Sequence, residues 1–210
     1  MKILIIGGTG GTGRQLINQA LEEGHEVTAL VRNPAKLKLS HQRLQVIKGD
    51  VLDREVVQQA MSGQEAVLSV LGHKQFIIKT SILSRGTKNL IDGMKAQGVD
   101  RFICVTTLGI GDSRFRLGLY YTLFVIPFIV FFYFRDKEKQ EKLIRNSKLN
   151  WTIVRPGQLI NTKKRGVYKH GPKVGSYILT KMISRADVAH FMLKQLSGNV
   201  YSRKTVGITY

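Results

Sequence analysis

Apolar runs alternate with helix-like stretches along most of the chain. Helical spacing of apolar residues extends over Gly11 to Glu23, Asp53 to Met61 and Lys79 to Gln97. The runs rich in Val, Ile and Leu, which are typical of buried strands, are KILII, EVTALV, LQVIKG, EAVLSVLG and RFICVTT. Strands that alternate with helices in this way form βαβ units around a parallel sheet. The pattern therefore predicts an α/β fold with a doubly wound parallel sheet.

The same pattern continues after an apolar segment in the middle of the chain. WTIVRPG predicts a further strand, and KTVGITY predicts the last one. Between them, SRADVAHFMLKQL has helical spacing and begins at Ser184, with Asp187 three residues later, which is close to a capping box. Because the sequence contains neither a repeat nor a linker, we expect residues 1–210 to form a single domain.

The segment from Leu117 to Phe134 contains no charged side chain, and at 18 residues it reaches the length of a transmembrane helix. However, the strands RFICVTT and WTIVRPG on either side of it belong to one sheet. A single crossing would place them on opposite sides of a bilayer. Pro127 also interrupts the segment near its middle. We therefore expect an apolar helical insertion over about residues 113–134 rather than a transmembrane helix.

Net charge is the unusual feature of the composition, because 33 Lys and Arg against 14 Asp and Glu give +19. Asp187 is the only acidic side chain after Glu141. Such a field attracts anions, including nucleotides, nucleic acid and anionic lipid. The sequence has neither a basic helix nor aromatic residues interleaved with basic ones, so we do not expect a nucleic-acid partner.

Cysteine and histidine usage limits the chemistry further. Cys104 is the only cysteine, which excludes an internal disulfide and a multi-cysteine metal site. His73 has no second metal ligand at a useful spacing, so we predict no metal site. The amino terminus shows no signal-peptide pattern. These features favour a cytoplasmic protein.

The stretch KILIIGGTGGTGRQLINQ carries the main binding motif. Gly7, Gly10 and Gly13 follow a predicted strand and open a predicted helix, the context in which a glycine pattern indicates a dinucleotide-binding loop of Rossmann type. The glycines allow a tight turn, close approach of a pyrophosphate and close packing of the helix on the strand, and the helix amino terminus adds N–H donors. The residues expected to line the phosphates are Gly7, Thr9, Gly10, Gly11, Thr12 and Gly13.

The residue after the second strand predicts which cofactor binds. A free ribose 2′-hydroxyl is usually held there by Asp or Glu, whereas this chain has Arg32. An arginine forks onto a 2′-phosphate, which a carboxylate would repel. The sequence therefore predicts NADPH as the cofactor, with Lys36 as a second candidate ligand; a solvated strand-end charge is the alternative for both residues.

Ligands of doubly wound sheets bind beyond the carboxyl ends of the strands, so further strand ends are expected to complete the site. The third strand should face the adenine, the fourth the pyrophosphate and nicotinamide ribose, and the fifth the nicotinamide. The residues at these ends are Asp50 and Val51, then Leu71, Gly72 and His73, then Thr106 and Thr107. Ordinary loop chemistry is the alternative for each, with Asp50 as a helix cap for example.

The order of these motifs is similar to that of a known group. GGTGGTG, LVRNP, GDV, VLG, WTIVRPG and ISRADVAHFML resemble the atypical short-chain dehydrogenases/reductases with NAD(P)H-binding, NmrA-like domains. Within that group the chain resembles the biliverdin IXβ reductase/flavin reductase family, apart from the insertion. The resemblance implies that the glycine loop and Arg32 hold NADPH. It also implies that Thr106 or Thr107 faces the nicotinamide.

A candidate proton donor follows the apolar segment. Short-chain reductases commonly use Tyr-x-x-x-Lys, and Tyr133 precedes Lys137 by four residues, which places both side chains on one helix face. There the lysine would hold the nicotinamide ribose and the tyrosine would act as general acid. Gln140 and Ile144 continue the stripe, and Ile144 should face the core. In the alternative interpretation Lys137 belongs to a solvated charged helix, and hydride is transferred without a protein acid, as in flavin-reductase relatives.

The apolar insertion allows several roles. It could line a pocket for a flat apolar substrate, form a homo-oligomer with a second subunit, or add to the core. It could also make peripheral contact with an anionic membrane, with Arg114, Arg116 and Arg135 at its edges.

Two functional hypotheses follow from the sequence. The first is an NADPH-dependent oxidoreductase that transfers hydride to a small apolar or conjugated acceptor such as a flavin, quinone, linear tetrapyrrole or carbonyl compound. In that hypothesis Thr107, Tyr133 and Lys137 are the catalytic candidates. The alternative is a non-catalytic NADPH-binding redox sensor or assembly factor at a protein partner or membrane surface.

Overall fold

A computed structural model describes residues 1–73 and 75–210. Its strands are β1 (Lys2–Ile6), β2 (Glu26–Val31), β3 (Leu44–Lys48), β4 (Ala66–Ser69), β5 (Arg101–Val105), β6 (Asn150–Pro156), β7 (Gln158–Ile160), β8 (Lys169–Gly171), β9 (Met182–Ser184) and β10 (Lys204–Thr209). Its α-helices are α1 (Gly11–Glu22), α2 (Arg54–Met61), α3 (Ile82–Ala96), α4 (Ile126–Phe128), α5 (Phe131–Arg145) and α6 (Arg185–Ser197). All seven strands expected from the apolar runs are present.

Within the described residues, one eight-stranded sheet has the order β3-β2-β1-β4-β5-β6-β10-β8. Neighbouring strands are parallel except for β8, which pairs antiparallel with β10. The chain runs outward from β1 to β3 and then returns to β4 on the other side of β1, so the direction of winding reverses between β1 and β4. The predicted doubly wound α/β fold is confirmed.

Both faces of the sheet are buried, because the strands carry apolar side chains on both faces. In β1, Ile3 and Ile5 belong to the core under α1 and α6, whereas Leu4 and Ile6 belong to the core under α2, α3 and α5. Cys104 lies in the second core and is fully buried, which raises the pKa of its thiol to about 11.

Side-chain caps fix where two helices begin. Asp53 accepts hydrogen bonds from the backbone N–H groups of Glu55 and Val56 at the start of α2. Ser184 accepts one from the N–H of Asp187 at the start of α6, as its spacing predicts. The expected start of α3 at Lys79 is wrong, because the helix begins only at Ile82.

The three-residue strands β7, β8 and β9 were not predicted. Strands β7 and β9 form a separate parallel pair, and β8 covers the edge of the main sheet. Each is too short to show an alternation of apolar and polar residues, and each is held by a partner that is distant in sequence. Such strands are set by tertiary pairing.

The apolar segment folds after β5 into several short pieces. It contains a turn of π-helix at Tyr121–Val125 and the single-turn α4, and its last four residues form the first turn of α5. No described helix has both the length and the apolar character needed to cross a membrane. The part of the segment that faces inward packs in a small core of its own, built on Leu108, Ile110, Leu117 and Phe134.

Candidate functional site

The carboxyl ends of β1 and β4 define the candidate site. These strands are adjacent and in register, with Ile6 opposite Ser69, and the chain leaves them in opposite directions. In open α/β sheets, ligands bind in the crevice at such a switch point. The loop after β1 is the glycine motif, and the loop after β4 is Leu71 to His73, so the structure brings these two predicted parts of the site together.

Two glycines of the motif are required by the geometry of the loop. Gly7 has a φ of +86°, and a Cβ atom on it would lie 2.7 Å from the carbonyl oxygen of Val70 beyond β4. A Cβ on Gly13 would lie 2.2 Å from the carbonyl oxygen of Gly7. Any larger side chain would therefore push the loop away from the sheet or the helix away from the loop.

The amino terminus of α1 is open for an anion. No side chain in the described chain caps this helix, and its N-cap residue is Gly10, whose own N–H is bonded to the Gly7 carbonyl oxygen at 3.0 Å. The N–H groups of Gly11, Thr12 and Gly13 are the donors that a helix leaves without intrahelical partners. Thr9 is half-buried and Thr12 is buried. The arrangement fits the pyrophosphate of a dinucleotide.

Cations gather at the end of β2. Arg32 follows the strand and is exposed. Arg14 in the first turn of α1 donates a hydrogen bond to the backbone carbonyl oxygen of Lys36 at 2.7 Å, which ties the helix to the loop after β2. Sequence reasoning found Arg32 and Lys36 but missed Arg14, although its position one residue after the glycine motif is a usable signal.

The end of β3 is a compact turn. The Asp50 carboxylate accepts a hydrogen bond from the N–H of Leu52 at 2.9 Å, and Asp53, not Asp50, caps the following helix. Val51 is buried against α3, where a Cβ on Gly86 would lie 2.7 Å from its side chain. The predicted adenine contact at this end of the sheet remains a prediction.

His73 is fixed by hydrogen bonds on both ring nitrogens. Its Nδ1 accepts from the N–H of Gln75 at 3.2 Å, so Nε2 carries the proton and faces the Thr80 hydroxyl at 3.0 Å. Burial lowers the pKa of His73, and the charges of Lys137 and Arg32 lower it further against the opposing effect of Asp136. The ring is therefore neutral near pH 7.

Lys137 is buried at the carboxyl edge of the sheet. Its side chain is 2% exposed, and its ammonium donates hydrogen bonds to the carbonyl oxygens of Leu71, beyond β4, and Val105, at the end of β5. The two distances are 3.1 and 3.0 Å. Ile144 of the same stripe is fully buried, as expected. The interpretation of Lys137 as part of a solvated charged helix is wrong.

Tyr133 lies one turn before Lys137, over the loop after β4. Its ring packs edge-on against His73 and Phe76, with centroids 4.9 and 5.4 Å apart, and the Lys137 ammonium is 5.8 Å from its ring centre. A Cβ on Gly72 would lie 3.4 Å from the Tyr133 hydroxyl, so this glycine leaves room beside it. The structure thus brings Tyr133, Lys137 and His73 together.

The two threonines after β5 differ in accessibility. Thr106 is buried, and its hydroxyl donates to the carboxylate of Glu141 at 2.6 Å. Thr107 is half-buried, and its hydroxyl donates to the carbonyl oxygen of Leu108 at 2.8 Å. Of the two, only Thr107 keeps its side chain partly open to a ligand.

Glu141 forms a buried ion pair that sequence reasoning missed. The guanidinium of Arg155, at the end of β6, donates to both carboxylate oxygens of Glu141 at 2.8 and 2.6 Å and to Asp112 at 2.6 Å. Burial alone would lower the pKa of Arg155, but these hydrogen-bonded carboxylates raise it. The pair connects α5 to β6 and, through Thr106, to the end of β5.

Two further charged residues near the site were missed. Asp136 is buried on α5, and its carboxylate accepts from the N–H groups of Leu83 and Ser84 and from the Ser84 hydroxyl, so it caps α3 from outside that helix. A Cβ on Gly11 would lie 2.7 Å from the side chain of Arg185, which places a cation against the glycine loop. Spacing along the chain gives no signal for contacts of this kind.

The open parallel sheet, the glycine loop at its switch point and the uncapped helix behind that loop define a dinucleotide-binding protein of Rossmann type. The model of the NAD(P)H-binding family matches residues 7–199, and the chain belongs to that family. This membership confirms the resemblance inferred from the order of the motifs.

Two curated relatives cover most of the chain. An uncharacterized chloroplastic protein of Arabidopsis thaliana is 30% identical over 220 residues, which cover 99% of this chain and 76% of the relative. The photosystem II assembly factor Ycf39 of Cyanophora paradoxa is 29% identical over 160 residues. That match covers 74% of this chain but only 44% of the assembly factor, so the chain spans less than half of its length.

Solved structures agree with the fold. The anaerobilin reductase ChuY from Escherichia coli O157:H7 is 26% identical, with a TM-score of 0.83, and the match covers 100% of this chain and 97% of ChuY. A short-chain dehydrogenase/reductase from Veillonella parvula in complex with NADP is 18% identical, with a TM-score of 0.81 and coverage of 100% and 94%. The second similarity supports the fold alone.

Replacing Glu141 by Gln should destabilise the protein, because it leaves exposed Asp112 as the only carboxylate partner of the buried Arg155 guanidinium among the described residues. We expect the free energy of unfolding to fall by up to about 3–5 kcal/mol. Urea unfolding monitored by circular dichroism measures the change.

Glu138 is the matched control, because it lies on the same helix and forms an exposed pair with Arg135 at 4.0 Å. Glu138→Gln should change the free energy of unfolding by about 0–1 kcal/mol. Equal losses in the two variants would contradict a special role for the buried pair.

Proposed function

We propose that this protein is an NADPH-dependent oxidoreductase that transfers hydride to an apolar or conjugated acceptor, such as a flavin, quinone, linear tetrapyrrole or carbonyl compound. The proposal depends mainly on the Tyr133–Lys137 pair, whose buried lysine lies at the same sheet edge as the glycine loop. Membership of the NAD(P)H-binding family supports the cofactor class, and the similarity to an anaerobilin reductase supports a reductase.

The preference for NADPH over NADH is proposed from the charge at the end of β2. No carboxylate follows this strand; instead Arg32, Asn33 and Pro34 do, and Arg14 reaches the same loop. A 2′-phosphate placed there would lie beside Arg32, and a guanidinium group binds phosphate through paired N–H donors. A free 2′-hydroxyl gains much less from them.

When bound, NADPH supplies a hydride, and reduction of the acceptor takes up one proton as well. We assign the proton to the hydroxyl of Tyr133, which lies beside the open backbone of Gly72. The buried ammonium of Lys137 lies 5.8 Å from the ring centre of Tyr133. Lys137 already has two carbonyl partners, so only its third N–H is available to a cofactor hydroxyl.

The apolar surroundings of Tyr133 suit a flat acceptor. The rings of His73 and Phe76 pack edge-on against the phenol. His73 is neutral, so it places no charge against an apolar acceptor. Thr107 is the polar group at the end of β5 that is partly open to such an acceptor. Together these residues favour an acceptor with a conjugated or aromatic ring system that packs beside Tyr133.

A non-catalytic role is the second candidate, because of the similarity to a photosystem II assembly factor over 74% of this chain. In that case the protein would bind NADPH as a redox sensor or assembly factor, and Tyr133 would serve only in packing.

An NADPH oxidation assay across flavins, biliverdin, quinones and carbonyl compounds distinguishes the two candidates. Turnover of any of these acceptors supports the reductase. Tight NADPH binding without turnover of any acceptor class supports the sensor or assembly factor.

Arg32→Ala should weaken NADPH binding selectively. A charge-assisted contact contributes about 1.5–3 kcal/mol, so we expect a loss of roughly ten- to a hundredfold for NADPH and little change for NADH. Calorimetric titration with both cofactors measures the effect. Lys38→Ala, six residues further along the same loop, is the control and should leave both affinities unchanged. An equal loss for both cofactors in Arg32→Ala would contradict 2′-phosphate recognition.

Tyr133→Phe should lower kcat for a carbonyl acceptor by about a hundredfold or more while NADPH affinity stays nearly intact, because only the proton donor is lost. Steady-state kinetics and cofactor titration measure the two effects. Tyr121→Phe, which removes a hydroxyl from the same apolar segment, is the matched control. Unchanged turnover in Tyr133→Phe would show that the proton comes from solvent.

A further inference from the structure

A large apolar surface covers the outside of the segment that follows β5. We call it the apolar ridge. Phe128 is 79% exposed and Ile178 is 75% exposed, far more than side chains of this kind in a protein core. The ridge consists of Leu119, Tyr120, Leu123, Phe124, Phe128, Ile129, Phe131, Phe132, Tyr177, Ile178 and Leu179.

The ridge has two parts, residues 119–132 and residues 177–179, and hydrogen bonds beside them join the two into one surface. The N–H of Leu119 donates to the carbonyl oxygen of Ile178 at 3.2 Å, and the Thr180 hydroxyl donates to that of Leu117 at 3.0 Å. Leu117 also forms a β-bridge with Ser176. Residues 176–180 are therefore bound directly to the start of the apolar segment.

The ridge is held outward by the small core beneath it. Leu117 and Phe134 are buried there, and Tyr121, Ile126 and Val130 pack against them. The segment has thus already buried one apolar face and still exposes another. One role expected from the sequence is that the segment adds to the core. That role explains the inner face of the segment but not the exposed outer face.

Cations lie along one border of the ridge, beside the start of the apolar segment. The Arg114 guanidinium lies 5.9 Å from the ring centre of Phe115, and Arg116 donates to the carbonyl oxygen of Pro172 at 2.6 Å, next to exposed Lys173. Residues 142–186, which carry Tyr177 to Leu179, contain no Asp or Glu. The border of the ridge therefore attracts anionic surfaces.

We infer that the apolar ridge docks on an anionic lipid surface. Aromatic and aliphatic side chains enter the boundary between headgroups and acyl chains, and the cations at the border of the ridge contact lipid phosphates. The short helical pieces suit a segment that lies in the interface, because none of the described helices could cross a bilayer. A second copy of the chain is disfavoured on this face, since it would bring two cationic borders together.

The test uses flotation of the full chain with vesicles of phosphatidylcholine alone, and of phosphatidylcholine and phosphatidylglycerol in equal amounts. We expect binding to the anionic vesicles that weakens as salt rises. Phe128→Ser with Ile178→Ser should lower that binding at least about tenfold. The control is Val200→Ser, which should bind like the unmodified protein. Val200 is 71% exposed and precedes β10, at the amino-terminal ends of the parallel strands and away from the ridge. Thermal unfolding verifies that the variants are folded.

Variants that remove positive charge test the role of the cations at the border of the ridge. Arg114→Gln with Lys173→Gln should lower binding to the anionic vesicles by about fivefold for each cation removed. Lys95→Gln with Lys204→Gln is the control. It removes two exposed cations at the amino-terminal ends of the strands, away from the ridge, and should have little effect.

Two outcomes would overturn the inference. One is the absence of binding to anionic vesicles, or equal binding by the ridge variant and its control. The other is a dimer in size-exclusion chromatography that the ridge variant dissociates, which would assign the ridge to a second copy. Because flotation uses neither NADPH nor an acceptor, either outcome would leave the proposed reductase activity untouched.

Discussion

The ammonium of Lys137 binds the carbonyl oxygens of Leu71 and Val105, and this contact determines how the rest of the site is arranged. A buried lysine is costly unless its donors are satisfied, so this contact holds α5 against the ends of β4 and β5. Asp136 and Glu141 on the same helix add a cap for α3 and an ion pair with Arg155. These charged contacts orient α5, whose first turn carries Tyr133.

The orientation of α5 connects the crevice with the outer surface. On its inner side, the helix places Tyr133 beside the loop that neighbours the glycine motif across the switch point. On its outer side, the first turn exposes Phe131 and Phe132 as part of the apolar ridge. The first turn of α5 therefore belongs both to the proposed reductase site and to the apolar ridge.

Much of this arrangement is predictable from the sequence, because it depends on local patterns. The strands appear as apolar runs, the phosphate loop as glycines between a strand and a helix, and the buried stripe from Lys137 to Ile144 as helical spacing. Asp136 and Glu141 are not predictable in this way, since a charged helix normally faces water. Their partners, Ser84 and Arg155, are brought to them by the fold rather than by spacing. The same reason applies to Arg185 beside Gly11.

The central claim is that the crevice between β1 and β4 holds the cofactor, and hydrogen–deuterium exchange with and without NADPH tests it most directly. Phosphates bound at the amino terminus of α1 would cover its free N–H groups and slow their exchange. We predict protection in peptides that contain Gly10 to Arg14 and Leu71 to His73, with a smaller effect around Arg32. Saturating NADPH that leaves these peptides unchanged, or protects only the opposite edge of the sheet, would contradict the account.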